Sequence, residues 1–385
     1  MFKKLLPWYL VSLVVLSLAF IYGCGSAPTS GGGGGGAIAN RTGVFSYTGT
    51  QATGDVWSWT ISTSEFSGTN ETTNMWVTGT WITLASGFGK ATVSTSSGGP
   101  GAPSAGDQAY FLEFPNTLLA VKPMSGESGS DVIVCAAAAT MEPDAPASYS
   151  VIYIPWSGWD VANDQAYATV EAVKNGTTGS FEFTVTDFYM GGTVKGVPDT
   201  KTGFTFEAGR LTSSGSPGLQ IFMTPSNVFI GDSGPGQGGM AGAKVPITAI
   251  LSTEMSGKEF RGILFKYFIN GDHPSETEPI GAAGQPDGRI FAGSFLNNDY
   301  LSPNYGKFLD TYSKTVTLEF TGTTGGITTG ILRGTDGATS ESIFNLIISK
   351  VGADDKMMIM GIATGEYTYD VTPIKRVDNF MLIEK

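Results

Sequence analysis

Histidine and cysteine are nearly missing from this chain of 385 residues, which has one histidine, His273, and two cysteines, Cys24 and Cys135. That scarcity excludes the common zinc sites, because too few nitrogen and sulfur donors exist to close a tetrahedron. Charge is scarce as well: Asp, Glu, Lys and Arg make up 15% of the chain, against about 25% in ordinary soluble domains. The net charge is −12, and no cluster of Lys and Arg occurs beyond the N-terminus, so there is no basic footprint for phosphates and nucleic-acid binding is excluded. Helical periodicity is almost absent too. Glycine is abundant instead, at 54 residues, and 41% of the residues are apolar, a turn-rich composition that still supports a packed core.

Gly231-Asp232-Ser233-Gly234 resembles the segment around the nucleophile of chymotrypsin-like serine proteases. A serine nucleophile needs a base within hydrogen-bond reach and a third group to orient that base. His273, the one histidine, follows Ser233 where that family places it well before, and Pro235 replaces a glycine of the family segment. Ser233 is therefore read as a loop residue and no catalytic residue is assigned. No phosphate-binding glycine motif is present, because the stretch 236–244 lacks the Gly-Lys-Ser/Thr ending, and Asp287, Asp299 and the Asp354-Asp355 pair lack calcium-loop spacing. No cofactor and no metal are expected.

The N-terminus carries the most specific pattern. Lys3 and Lys4 precede an apolar run from Leu10 to Ile21, and Ile21-Tyr22-Gly23-Cys24 closes it. This resembles a bacterial lipoprotein signal peptide over residues 1–23, and the resemblance implies cleavage before Cys24 and lipidation of that residue. With Gly25 next in line, where retention in the inner membrane would call for Asp, it also implies the outer membrane, in a leaflet the sequence does not specify. Residues 24–42, with six consecutive glycines at 31–36, read as a flexible tether with a reach on the order of 20 Å.

From Gly43 onward the pattern has period two. Phe181 to Thr186 and Thr315 to Phe320 alternate apolar and polar residues, and Val56-Trp57-Ser58-Trp59-Thr60-Ile61 places both tryptophans on one face with Ile61. The stretch from Val132 to Ala136 is apolar on both faces, which suits a buried strand holding Cys135 unreactive. Val161 to Val173 is the best helix candidate, but it runs into Lys174-Asn175-Gly176 and a strand, so a β-hairpin fits at least as well. The expected fold is all-β, with two antiparallel sandwich or barrel domains at 43–195 and 196–385, divided at the Gly- and Pro-containing stretch from Gly191 to Asp199. Ser94 to Asp107, Gly231 to Lys244 and Asn270 to Gly288 read as long loops. The hairpins at 118–136 and 346–362 echo each other, a hint of duplication.

Apart from Trp8, every tryptophan lies between Trp57 and Trp159, in the more acidic first half. Trp156-Ser157-Gly158-Trp159, preceded by Tyr153, reads as a loop tip whose indoles stack on sugar rings or anchor a protein partner. The sequence thus points to a membrane-anchored envelope lipoprotein that binds or scaffolds, with Tyr153, Trp156 and Trp159 as candidate contacts and a glycan or an envelope protein as partner. Two alternatives stay open: an envelope polysaccharide hydrolase with an unidentified carboxylate pair, and a lipocalin-like carrier enclosing a small apolar ligand.

Overall fold

The computed structural model describes residues 43–51, 54–84, 86–99, 102–123, 132–137, 139, 141–154, 166–190, 193–194, 199–232, 239–248, 250–268, 276–296, 309, 311–312, 316–324, 327–334, 341–352, 354–369 and 372–385. Cys24, Trp156, Trp159, Ser233 and His273 lie outside them. Nearly everything described is antiparallel β-structure, gathered into three closed barrels.

The first barrel is an up-and-down meander of β1 (Phe45–Gln51), β2 (Val56–Ile61), β3 (Glu65–Asn70), β4 (Met75–Thr83), β5 (Gly89–Ser96), β6 (Gln108–Phe114), β7 (Leu118–Pro123) and β8 (Ile133–Ala137), closed by the pairing of β1 with β8. The second runs through β9 (Ala147–Ile154), β10 (Ala166–Lys174), β11 (Phe181–Met190), β12 (Thr193–Val194), β13 (Asp199–Glu207), β14 (Arg210–Ser213), β15 (Gln220–Met223), β16 (Val228–Asp232) and β17 (Gly239–Lys244). Its ring closes where β17 meets β9, and the two-residue β12 hangs on β11 outside it. The third, β18 (Glu259–Phe268), β19 (Glu276–Gly284), β20 (Ile290–Ser294), β21 (Val316–Thr324), β22 (Ile327–Gly334), β23 (Glu341–Val351), β24 (Lys356–Tyr369) and β25 (Thr372–Glu384), closes between β18 and β25. At that seam a Cβ on Gly262 would stand 1.8 Å from the Met381 carbonyl oxygen, so only glycine allows the two strands to coil this closely.

Each barrel is filled by the side chains that alternation turns inward. Tyr47, Trp57, Trp59, Phe66, Phe111 and Cys135 pack the first, Tyr149, Phe181, Phe204, Leu211 and Phe229 the second, and Phe260, Leu318, Phe344, Ile359 and Phe380 the third. These packed interiors differ from the hollow barrel that a lipocalin-like carrier requires.

The outward faces explain how the barrels sit together. Leu118 and Ala136 from the first barrel, Ile152, Phe222 and Ile230 from the second, and Met358, Met360 and Ile362 from the third join in one further core between the barrels. The strands that contribute to it are apolar on both faces, as in Met357-Met358-Ile359-Met360, where successive residues alternate between the interior of the third barrel and the joint. Buried polar contacts cross it as well: Thr50 of β1 donates to the Asp232 carboxylate of β16 at 2.5 Å. The aspartate of the protease-like segment thus serves packing.

Three readings of the sequence need correction here. The expected two-domain division at 195/196 falls between β12 and β13, inside the second barrel, and the described residues form three barrels. Glycine and proline mark a connection between strands of one sheet as readily as a linker. Two stretches read as long loops hold strands, β17 in one and all of β19 in the other. The echoed hairpins differ in register, since Leu118 opposes Ala136 whereas Leu346 opposes Gly361, and in facing. Leu118 points into the joint but Leu346 into its own barrel, so the two are not equivalent. The hairpin at Lys174 forms as expected, its turn held by the Asn175 side chain, which accepts from the Thr177 and Thr178 amides.

Candidate functional site

Tryptophan divides the first barrel into an inside and an outside. Trp57 and Trp59 point inward from β2 and stack at 5.4 Å, and Trp57 Nε1 donates to Gln51 Oε1. On β4, Trp81 turns inward, its Nε1 bonded to the Ser62 carbonyl at 3.1 Å and its ring edge-on to Phe111. Trp76 lies five residues earlier on the same strand, an odd spacing that puts it on the opposite face, where it is 42% exposed. The Ser97 hydroxyl receives a hydrogen bond from the Trp76 amide, and the Ser97 amide donates to the Trp76 carbonyl, which fixes the backbone beneath the indole.

Around Trp76 the outer surface is a field of hydroxyls. Antiparallel register sets Thr48, Ser58, Thr69 and Trp76 side by side across β1 to β4. The next row is Ser46, Thr60, Ser67, Thr78 and Thr95, and Thr80 with Thr92 begins a third. Thr78 and Thr95 share a hydrogen bond of 2.7 Å, and Thr48 and Ser58 approach at 3.5 Å. Ile82, 63% exposed, ends the outward line on β4 about 20 Å from Trp76. Glu65 and Lys90 stand at the margin beside Thr80 and Ile82. The Ser58 hydroxyl donates to the Glu71 carboxylate, which pairs with Arg210 of the second barrel at 3.4 Å. With that charge paired, the surface offers hydroxyl donors and acceptors beside an aromatic face, and suits a neutral, hydroxyl-rich ligand.

Tyr153, the one described residue of the candidate trio, stands near the end of β9 and turns into the second barrel. Its ring meets Phe188 edge-on at 5.6 Å, and burial, followed by the charge of Asp199, raises its phenol above the usual range. Trp156 and Trp159 lie outside the described residues. Sequence reading passed over Trp76, although Met75-Trp76-Val77-Thr78-Gly79-Thr80-Trp81 carries the signal in its phase.

Carboxylates gather at one end of the third barrel, where Glu278 pairs with Lys266 at 2.5 Å and Asp378 lies across from Lys266. No group of three or more His, Cys, Asp or Glu among the described residues could hold a metal ion. Among the same residues no helix is long and apolar enough to cross a membrane.

No protein-family model matches the chain, and no curated protein matches it. Among solved structures it is similar to two mutants of Transferrin Binding Protein B, a vaccine antigen of Haemophilus parasuis. One aligns at 8% identity over 89% of this chain and 76% of its own, with a TM-score of 0.24. The other aligns at 8% identity over 90% and 76%, with a TM-score of 0.27. A Nostoc punctiforme protein of unknown function aligns at 10% identity over 90% of this chain and 97% of its own, with a TM-score of 0.19. Likenesses at this level establish neither a shared arrangement of barrels nor a shared partner.

Proposed function

We propose that this is a lipid-anchored protein of the bacterial outer membrane, tethered through Cys24, which holds a neutral glycan of the envelope against the outer face of its first barrel. The observation that carries the reading is the set of cross-strand hydroxyl rows around Trp76. Rigid strands fix those hydroxyls in place, so little side-chain freedom is lost on binding, and an exposed indole is the kind of residue that dominates small interfaces. The second and third barrels brace the first through their common core, and the protein binds without transforming what it binds.

Two measurements test this. The full chain and its Trp76→Ala variant are compared for retention on insoluble neutral envelope polysaccharide, with retention of the parent and at least a tenfold loss in the variant as the expected result. Equal retention, or none by either, refutes the glycan reading. Membrane fractionation of Cys24→Ser with a fatty-acid label tests the anchor separately, and a variant that stays labelled and membrane-bound refutes it.

A further inference from the structure

Where the three barrels meet lies a cavity of about 70 Å³ with an almost wholly apolar wall. Leu112 and Phe114 of β6, Ile152 of β9, Ile263 of β18 and Met360 of β24 line it from all three barrels. Asn379 of β25 is the exception. It is 5% exposed and sits across from Phe265 on β18 and Ile362 on β24, and neither its amide nitrogen nor its amide oxygen has a hydrogen-bond partner among the described residues.

A buried amide without partners opposes folding, and a leucine of similar volume would avoid that cost. Water meets the need poorly, because a buried water is held by two to four polar partners and Asn379 is the only polar side chain among the described residues of this wall. A molecule with an apolar body and one head that both donates and accepts meets it well. The head is neutral, since no charged side chain among the described residues lines the cavity to receive an ion. Size narrows the class further: an apolar cavity of about 150 Å³ takes up benzene, so this one accommodates roughly three or four non-hydrogen atoms.

We propose that the joint between the barrels is a binding site for a small neutral amphiphile, a short-chain alcohol or carboxamide, with its head on the Asn379 amide and its body among the apolar side chains of the three barrels. The site is separate from the outer face of the first barrel, and its test does not depend on glycan binding.

The probe is 2-fluoroethanol, followed by its fluorine NMR signal during titration into the full chain held in lipid nanodiscs. Asn379→Leu in identical nanodiscs corrects for partition into lipid. The expected result is saturable broadening with the parent, at least tenfold weaker with the variant, and a thermal midpoint of the ligand-free variant above that of the parent because the unpartnered amide is gone. Absence of saturable binding, or equal binding by the variant, overturns the proposal. A lowered midpoint or an unfolded variant overturns it as well, because Asn379 would then brace the joint rather than wait for a ligand.

Discussion

Arg261, on the first strand of the third barrel, donates from Nε to the main-chain carbonyl of Ser86 in the first barrel at 2.6 Å, while its guanidinium lies against the rings of Phe295 and Tyr312. Burial depresses its pKa, yet Glu259 nearby favours the charged form, and the group stays a cation. Replacing Arg261 with Met keeps most of the packing but leaves that carbonyl without its donor. The expected loss is about 1.5 to 3 kcal/mol by denaturant unfolding of the whole protein. An unchanged midpoint would show that the contact contributes nothing to the joint.

Trp59 and Trp76 belong to opposite sides of one wall, so their truncations should separate. Trp59→Ala empties part of the first barrel and is expected to cost about 3 to 5 kcal/mol. Trp76→Ala is expected to change stability by no more than about 0.5 kcal/mol. Unfolding curves of the two variants decide the matter, and a large loss at Trp76 would place it in the core.

The hairpin between β13 and β14 turns through Ala208 and Gly209, with φ of +50° and +83°. Alanine is strained there, whereas Asn-Gly is the preferred pair for such a turn. Ala208→Asn should therefore stabilise the protein by about 1 kcal/mol, read as a raised unfolding midpoint.

Cys135 is fully buried, its sulfur against the Trp57 carbonyl, and burial followed by the charge of Glu71 pushes its thiol well up. Ellman's reagent at pH 8 should leave it unmodified until the first barrel opens. Labelling faster than unfolding would contradict that burial.

Glu384 ties the end of β25 to Lys258 ahead of β18. Burial alone would raise its carboxyl, but two bonds from Lys258, at 2.6 and 2.7 Å, and one from the Met357 amide outweigh burial and hold its pKa below the usual carboxylate range. A depressed pKa contributes stability that is present above the unfolded-state value, near 4.3, and is lost as pH falls through the folded value. Glu384→Gln should accordingly flatten the fall in stability below about pH 4, measured by thermal unfolding across pH 3 to 6. A profile identical to the parent's would exclude the ion pair as a contributor.

How much was legible in the residues follows from distance along the chain. Strand phase is local, so Trp57-Ser58-Trp59 announced an inward pair and Val132 to Ala136 a strand covered on both sides. Barrel number is not local, because closure joins Gly49 to Cys135 and Gly262 to Leu382, and nothing near either residue advertises its partner. Composition misled at Gly239-Met240-Ala241-Gly242, a stretch that looks like loop yet forms β17, where small residues let the strand pass close to its neighbours. At Gly242 a Cβ would stand 2.4 Å from the Phe229 ring. The outer face was readable in principle, since the phase of β4 separates Trp76 from Trp81. The hydroxyl rows beside it were not, because they depend on the register of five strands.

The apolar joint also imposes a schedule on the making of the protein. β8 completes the first barrel at Ala137, but the residues that cover its flank continue to Ile383. At about 5 to 20 residues per second, Leu118 and Ala136 wait roughly 10 to 50 s for Met358, Met360 and Ile383 to emerge. Throughout that interval each unfinished chain displays the surface that a neighbouring unfinished chain can cover. Yield should therefore fall as nascent copies crowd together, and slow expression should recover it.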